Sequence, residues 1–177
     1  TIYNYGHYFF KFNFTKEYPF KPPVLEYLTN GNNIRFHPNL YRNGKVCLSL
    51  LNTWKGEQWT GCQTIRSILL TILSILDSRP LLHEPGITEK HRDFDNYNKI
   101  ISYKTVESAI FNIISEKCSC CPLYLKELFK KNILENYEKN KEEIFNIIKS
   151  NKDTKMNIKT SLYVMNIDID WNRIKLN

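Results

Sequence analysis

The 177-residue sequence lacks the features that mark membrane-spanning and secreted proteins. No apolar run approaches the ~18 residues that a helix needs to cross a bilayer. The first residues show no signal-peptide pattern. The five cysteines are an odd number without the spacing of a disulfide framework, as is typical of a reducing compartment. These absences predict a cytosolic or nuclear protein with no membrane partner.

The sequence also lacks an uninterrupted basic block, although its net charge is +7. Lysines are dense in residues 126–159, but acidic residues lie among them, such as Glu135, Glu138, Glu142 and Glu143. We interpret this segment as a solvated helical surface. Nucleic-acid binding through it is the weakest of three functional hypotheses, because the sequence contains no motif for it.

A zinc-binding pattern is missing as well. Cys118, Cys120 and Cys121 form a C-x-C-C cluster, but zinc would need a fourth ligand and a different spacing. We therefore predict no metal site, and we interpret this cluster and the isolated Cys62 as incidental or structural thiols.

The most informative stretch runs from Phe36 to Leu51 and reads FHPNLYRNGKVCLSLL. Pro38 excludes a helix and pushes His37 toward extended geometry. The dipeptide Asn43-Gly44 is the strongest short-range signal for a tight reversal. The stretch therefore predicts that the chain folds back on itself just before a short apolar strand.

This reversal can bring Asn39 toward Cys47, eight residues further on. A thiol nucleophile beside an amide N–H that can stabilise an oxyanion suits acyl chemistry. Two plainer interpretations remain open at this point. A cysteine in a Val-Cys-Leu-Ser strand is usually a small buried hydrophobic residue, and an asparagine near a turn usually caps the chain.

Several motifs resemble those of ubiquitin-conjugating enzymes. His37-Pro38-Asn39, seven residues, then Cys47-Leu48-Ser49 and a tryptophan resemble the active-site signature of that family. Residues 18–23, YPFKPP, are similar to its proline-rich loop. Residues 52–56, NTWKG, and 83–86, HEPG, resemble the subclass that is loaded by the alternative ubiquitin-activating enzyme. The resemblance covers most of the chain.

The resemblance implies an α+β protein with the ubiquitin-conjugating (UBC) fold, an antiparallel meander sheet packed on helices. Residues 1–117 would form the conjugating core and residues 118–177 a mostly helical C-terminal extension. The family's first helix and first strand should precede Thr1, so the core is expected to be incomplete at its N-terminus. That helix normally carries part of the docking surface for the activating enzyme.

Periodicity predicts the individual elements. Phe10, Phe12 and Phe14 should share one face of a strand, and residues 24–28 should form the next one. Residues 64–76 should form a helix whose core face is Ile65, Ile68, Leu69, Ile72 and Leu76. Helices are also predicted over residues 93–117, 122–137 and 139–149, whereas the segment after residue 155 could be helix or strand.

The resemblance also implies roles for residues around Cys47. Cys47 would carry the modifier, Asn39 would stabilise the oxyanion, and Glu84 would orient an incoming lysine and help it lose a proton. His37, Pro38 and His83 would form the structural part of the motif, with the His37 ring bonded to nearby backbone. We disfavour His37 as a protease-like base, because no third group is apparent to orient it.

Partner contacts follow from the same resemblance. Leu70 would receive the apolar patch of the thioester-linked ubiquitin, although a lone exposed leucine needs no such explanation. Phe20 would contact a ubiquitin ligase, or would pack under its own loop. The residues that would complete the ligase contact are Thr60, Gly61 and Cys62. Gly61 replaces the family's proline and makes this loop more pliable, which puts docking to RING-type ligases in doubt.

The sequence therefore predicts an enzyme that accepts ubiquitin or a related modifier on Cys47 from an activating enzyme. It would pass the modifier to substrate lysines together with a ligase. No cofactor is expected, because ATP is consumed upstream by the activating enzyme. The alternative is a catalytically impaired ubiquitin-binding module that retains the fold.

Overall fold

The computed structural model describes residues 1–31, 33–117 and 123–174. Its helices and strands are β1 (Phe10–Asn13), β2 (Val24–Tyr27), α1 (Ile65–Ile75), α2 (Phe94–Lys104), α3 (Asn112–Ile114), α4 (Leu123–Asn151), β3 (Lys155–Thr160) and β4 (Met165–Asp170). Helices beside small antiparallel sheets confirm the predicted α+β class. The cluster of Cys118, Cys120 and Cys121 lies outside the described residues, so the prediction about it stays a prediction.

The N-terminal sheet has the meander order that the sequence predicts. β1 pairs with β2 antiparallel, and a single bridge between Glu26 and Lys45 extends the sheet by one more chain segment. Phe10 and Phe12 are half-buried, and the residues that alternate with them are exposed. Phe14 lies one residue beyond the end of β1 and is half exposed, but its ring stacks on that of Phe12 with the centroids 6.4 Å apart, so the two side chains share one side of the chain as predicted.

The predicted reversal at Asn43-Gly44 is present. The Tyr41 N–H donates to the Lys45 carbonyl at 2.9 Å, and the Gly44 N–H donates to the Tyr41 carbonyl at 3.0 Å. Gly44 has φ +88°, and a Cβ there would lie 2.9 Å from Glu26 Cγ. Both the backbone conformation and the close approach therefore require glycine.

Helix α1 confirms the predicted helix to within one residue at each end. The Thr64 side chain accepts the Ser67 N–H, and the Thr64 N–H donates to Ser67 Oγ, both at 3.3 Å. This reciprocal capping box satisfies amide groups that the first turn would otherwise leave unpaired. Ile68 and Ile72 are buried against the core.

The predicted core face of α1 is too wide. Ile65 and Leu69 are exposed rather than buried, as are Leu70 and Leu73. The apolar stripe covers more of the helix than the strip that contacts the core, which is centred on Ile68 and Ile72. Among the described residues nothing buries this outer side.

Helix α2 continues through a π-helical stretch, Thr105–Phe111, into α3. The helix predicted over residues 93–117 is therefore present, but it ends three residues early, at Ile114. Its inner side buries Tyr97, Ile100 and Ile101 in the core. α2 also contacts the short helical turn Pro80–His83 and both β3 and β4. It is therefore the element that joins the loop after α1 to the C-terminal hairpin.

Helix α4 is one continuous helix, whereas the sequence predicted two. The single residue between the two predicted helices, Glu138, is neither glycine nor proline, so nothing interrupts the backbone. Asn140 Nδ2 instead donates to the Asn136 carbonyl one turn earlier, at 2.7 Å. Tyr137 and Ile144 are buried on the same side of the helix, and their packing holds the two halves in line.

The segment that the sequence left undecided forms an antiparallel hairpin. β3 and β4 pair from Lys155 opposite Asp170 to Thr160 opposite Met165. Ile158 and Ile169 are buried and belong to the same core cluster as α1 and α2. The hairpin is therefore packed against the hydrophobic core that α1 and α2 help to form.

Asp93, just before α2, holds the start of the loop between β3 and β4. Its Oδ2 accepts the Ser161 N–H at 3.0 Å, the Leu162 N–H at 2.8 Å and the Ser161 hydroxyl at 2.7 Å. Burial alone would raise the pKa of Asp93, but these hydrogen bonds outweigh it and lower the pKa below its usual value. The charged form is thus favoured by folding.

Asp93→Ala should lower the free energy of unfolding by about 3 kcal/mol at pH 7, because it leaves amide donors without their charged acceptor. A folded-state pKa below the unfolded value gives stability that is present above about pH 4 and lost as pH falls through the folded pKa. The difference between Asp93→Ala and wild type in chemical denaturation should therefore shrink at pH 3. The exposed Asp95, replaced by alanine, is the control. An equal difference at both pH values would contradict this account.

Candidate active site

Asn39 and Cys47 are joined by a reciprocal pair of hydrogen bonds. Asn39 Nδ2 donates to the Cys47 carbonyl at 2.6 Å, and the Cys47 N–H donates to the Asn39 carbonyl at 2.9 Å. The last bridge before the cysteine links Leu40 to Val46. The sequence predicted that Cys47 lies on a short strand, but this residue follows the bridge and lies outside any strand. The predicted approach of Asn39 to Cys47 is confirmed.

Thr53 fixes the backbone on both sides of the cysteine. Its hydroxyl donates to the Val46 carbonyl at 2.8 Å and accepts the Leu48 N–H at 2.9 Å. The sequence placed Thr53 in a subclass motif but assigned it no contact. Together with Asn39, it leaves the main chain around Cys47 little freedom to shift.

The Cys47 side chain is almost fully covered. The residue is 3% exposed, whereas Cys62 is exposed. A thiol must be reachable to attack a carbonyl carbon. Side chains around Cys47 must therefore move before a large acyl group can reach the sulfur.

His37 is a buried structural residue. Its Nδ1 accepts the Asn39 N–H at 3.0 Å, which is the ring-to-backbone bond that the family resemblance implies. Burial, reinforced by the neighbouring His83, lowers the pKa of His37 to about 3. The ring is therefore neutral at physiological pH and far too weak a base to activate a thiol.

The loop after α1 packs against His37 through His83. The two imidazole ring centroids are 4.9 Å apart, and His83 Nε2 lies 2.9 Å from Asp77 Oδ2. Burial opposes ionisation of Asp77, but hydrogen bonds from His83 and the Arg79 N–H outweigh it and lower the pKa of Asp77. This pairing ties residues 77–86, called the acceptor loop because Glu84 in it is predicted to orient the acceptor lysine, to the His37-Pro38-Asn39 segment.

Glu84, the residue predicted to orient the acceptor lysine, has a partner that the sequence did not indicate. The Tyr163 hydroxyl, from the loop between β3 and β4, donates to Glu84 Oε2. The same loop is held from the other side by Arg42, whose guanidinium donates to the Tyr163 carbonyl. The C-terminal hairpin thus contacts both the acceptor loop and the turn before Cys47.

Arg35 is a second residue that the sequence analysis missed. It donates to the His37 carbonyl at 3.2 Å and to the Pro38 carbonyl at 2.5 Å. Its guanidinium carbon lies 3.4 Å from the centroid of the Tyr41 ring and 4.9 Å from that of Tyr163, within the range of cation–π attraction. A cation two residues before His37 was the only sequence signal for this role.

The residues predicted to contact a ligase are all exposed. Phe20 is 84% exposed, so the interpretation that it packs under its own loop is wrong. Trp59 Nε1 donates to the Pro19 carbonyl at 2.7 Å and joins the two loops concerned. The remaining members of the set, exposed just beyond Trp59, are Thr60, Gly61 and Cys62.

Leu70, the predicted ubiquitin contact, is 54% exposed. It is not the lone exposed leucine of the alternative interpretation, because Leu69 and Leu73 beside it on α1 are exposed too. α1 therefore presents an apolar surface of several side chains rather than an isolated one.

The described part of the chain also bears on metals, membranes and charge. Across residues 1–31, 33–117 and 123–174, no cluster of His, Cys, Asp or Glu side chains could hold a metal ion. Over the same ranges, no helix combines the length and apolarity needed to cross a membrane.

On α4, Lys131 pairs with Glu135 and Lys141 with Glu138, as expected for a solvated helical surface.

The family comparison agrees with the geometry of this site. Residues 1–105 match the family model described as "Ubiquitin-conjugating enzyme". This segment contains the Asn39–Cys47 pair, the loop after α1 and the whole of α2.

Curated relatives match over a longer stretch. Ubiquitin-conjugating enzyme E2 Z from Homo sapiens is 40% identical over 141 residues, which cover 78% of this chain and 40% of that protein. Its counterpart from Xenopus tropicalis is 39% identical, with 78% and 45% covered. The human dual E2 ubiquitin-conjugating enzyme/E3 ubiquitin-protein ligase BIRC6 is 34% identical over 147 residues, 75% of this chain and 3% of that protein. The chain thus spans less than half the length of these relatives.

Proposed function

The chain belongs to the ubiquitin-conjugating enzyme family, and on this premise we propose that Cys47 accepts ubiquitin or a related modifier as a thioester. The donor is an activating enzyme, and the modifier then passes to substrate lysines together with a ligase. The observation that carries the proposal is the reciprocal hydrogen bonding of Asn39 and Cys47. The cytosol or nucleus is the expected location, from the cysteine content.

Loading is an exchange between two thioesters. The Cys47 thiolate attacks the carbonyl carbon of the activating enzyme's thioester, a new C–S bond forms, and the activating enzyme's cysteine leaves as a thiolate. Because one thioester replaces another, the free energy changes little. The protein itself needs no cofactor for this step, and ATP is consumed upstream.

Transfer to lysine requires a group that stabilises negative charge on the thioester carbonyl oxygen. The neutral amine attacks the thioester carbonyl, the C–N bond forms, Cys47 leaves as a thiolate, and a proton departs from the nitrogen. The carbonyl oxygen carries negative charge in between. An asparagine amide has two N–H groups, and the Cys47 carbonyl engages one of them. The second N–H is the donor that we assign to the oxyanion.

We assign Glu84 the role of binding and deprotonating the ammonium group of the acceptor lysine. A lysine side chain has an unperturbed pKa near ~10.4 and arrives protonated at neutral pH. A carboxylate beside the thioester can hold the ammonium and accept its proton as attack begins. His83 is paired with Asp77 and carries no negative charge to replace it.

Glu84→Ala should slow discharge to free lysine by about 10²-fold with little effect on discharge to free cysteine, which needs no ammonium positioning. Glu84→Gln is the matched variant, because it keeps the size of the side chain and an acceptor for Tyr163 while removing the charge. It should slow lysine discharge to a similar degree. The measurement is single-turnover discharge after removal of the activating enzyme.

The control is His83→Ala, which should affect lysine discharge less than either Glu84 variant. A folded Glu84→Ala protein that discharges to lysine at the wild-type rate would exclude the carboxylate from the mechanism. A parallel loss of stability and of both discharge reactions would instead assign Glu84 to the turn alone.

The experiment that tests the proposed function is incubation with activating enzymes, ATP and ubiquitin. An adduct that survives denaturation and is released by a reducing agent is the expected product. Omission of ATP should abolish it, because no loaded activating enzyme would then be present.

The burial of Cys47 favours a second candidate, a ubiquitin-binding module that retains the fold with little or no catalysis. At 3% exposure, the thiol cannot meet a donor thioester without local movement. This candidate predicts that ubiquitin binds reversibly, without ATP, and that no covalent adduct forms with any activating enzyme.

A further inference from the structure

The loop between β3 and β4 is anchored at one end by a residue remote in sequence. Asp93 accepts two N–H groups and a hydroxyl from Ser161 and Leu162. These bonds fix the first half of the loop against the start of α2. The second half, Tyr163 and Val164, is thereby presented to the acceptor loop that carries Glu84.

The backbone of this second half is strained. Tyr163 has φ 62° and Val164 has φ 47°, a left-handed conformation that is a marked outlier for a β-branched side chain. Such strain persists only where surrounding contacts enforce it, and it concentrates at functional sites. Here the side chain that the strained loop delivers is the Tyr163 hydroxyl, on Glu84 Oε2.

The Tyr163 ring contacts two other side chains of the site. Its centroid lies 5.9 Å from that of Tyr97, and the Arg35 guanidinium lies 4.9 Å from it. Burial, followed by the hydrogen bond to Glu84, raises the pKa of Tyr163 well above its usual value. The hydroxyl is therefore a permanent donor at physiological pH, in a fixed position.

We infer that Tyr163 is a positioning residue for Glu84, so that the C-terminal hairpin completes the acceptor side of the active site. The inference rests on the proposed function. The hydroxyl fixes Oε2 of the carboxylate, while Oε1 makes no hydrogen bond to any described residue. Oε1 is then the oxygen that receives the ammonium of the acceptor lysine.

Tyr163→Phe tests this role, because it keeps the contacts of the ring with Tyr97 and Arg35 and removes only the hydroxyl. Ubiquitin-loaded protein, freed of activating enzyme, is mixed with free lysine or free cysteine. Discharge to lysine should slow about tenfold, the worth of one hydrogen bond to a charged group. Discharge to cysteine should keep the wild-type rate.

The matched control is Tyr103→Phe. Tyr103 also donates its hydroxyl to this hairpin, to the Asp170 carbonyl at 3.4 Å, but away from Glu84. Loss of the Tyr103 hydroxyl therefore tests only whether a hydrogen bond that holds the hairpin affects discharge. Lysine discharge by Tyr103→Phe should stay at the wild-type rate. In the Glu84→Ala background, Tyr163→Phe should slow lysine discharge no further, since a positioning residue has no effect without the group it positions.

The outcomes separate the inference from its premise. Absence of any thiol-labile adduct on wild type would overturn the proposed function and the inference with it. Normal loading with wild-type lysine discharge by Tyr163→Phe would overturn the inference alone. Faster discharge would overturn it too, and would make the hairpin an obstruction. The inference would also be overturned if Tyr163→Phe slowed lysine discharge further in the Glu84→Ala background, because Tyr163 would then act independently of Glu84.

Discussion

Replacing Cys47 with serine is expected to abolish the thiol-labile ubiquitin adduct. Serine is only slightly smaller than cysteine. The hydrogen bonds between residue 47 and Asn39 use the backbone of residue 47 and not its side chain, so the fold should persist. A hydroxyl is a far weaker nucleophile than a thiolate at neutral pH. Any adduct that still forms should be an oxygen ester, which resists thiols and is cleaved by hydroxide.

The other cysteines supply matched controls for this result. Cys62 is exposed, and Cys62→Ser should load at the wild-type rate. The same holds for serine variants of Cys118, Cys120 and Cys121. A thiol-labile adduct on Cys47→Ser would show that the assignment of the nucleophile is wrong. Loss of the adduct with Cys62→Ser would indicate that the exposed thiol of Cys62 is the nucleophile.

Asn39→Ala is expected to leave loading largely intact and to slow discharge to lysine by ~10²–10³, the usual cost of one oxyanion donor. Attack by an amine on the thioester depends on stabilising the oxyanion until the thiolate leaves. Only interactions that strengthen in the transition state change the rate of this step. Single-turnover discharge of purified thioester measures it.

The amide also holds the Cys47 carbonyl, so its structural contribution needs a separate control. Thr53→Val removes the hydroxyl that bonds the Val46 carbonyl and the Leu48 N–H without touching Asn39. It should lower stability by about 1–3 kcal/mol with a much smaller effect on discharge. Asn39→Ala discharge within a factor of two of wild type, in a folded protein, would assign Asn39 a structural role only.

The centre of the site was predictable because its determinants are local. The Asn43-Gly44 turn requires a residue tolerant of positive φ, and the reversal it makes sets Leu40 against Val46 and Asn39 against Cys47. Turn chemistry and the period of the chain therefore fix this geometry within a few residues.

The remaining features depend on contacts between distant segments. Tyr163 meets Glu84 across 79 positions of sequence, and no local pattern marks a tyrosine for that contact. The exposed side of α1 looks like core by period alone, because Ile65 and Leu69 continue the apolar stripe. The burial of Cys47 likewise depends on tertiary packing, which the local sequence pattern does not determine.

The most direct test of the account is to locate the ubiquitin linkage by mass spectrometry of the denatured, non-reduced adduct. The account predicts the C-terminus of ubiquitin joined to the sulfur of Cys47, with the linkage lost on treatment with a thiol. A linkage to Cys62, a linkage to lysine alone, or ubiquitin that binds without any covalent bond would contradict it.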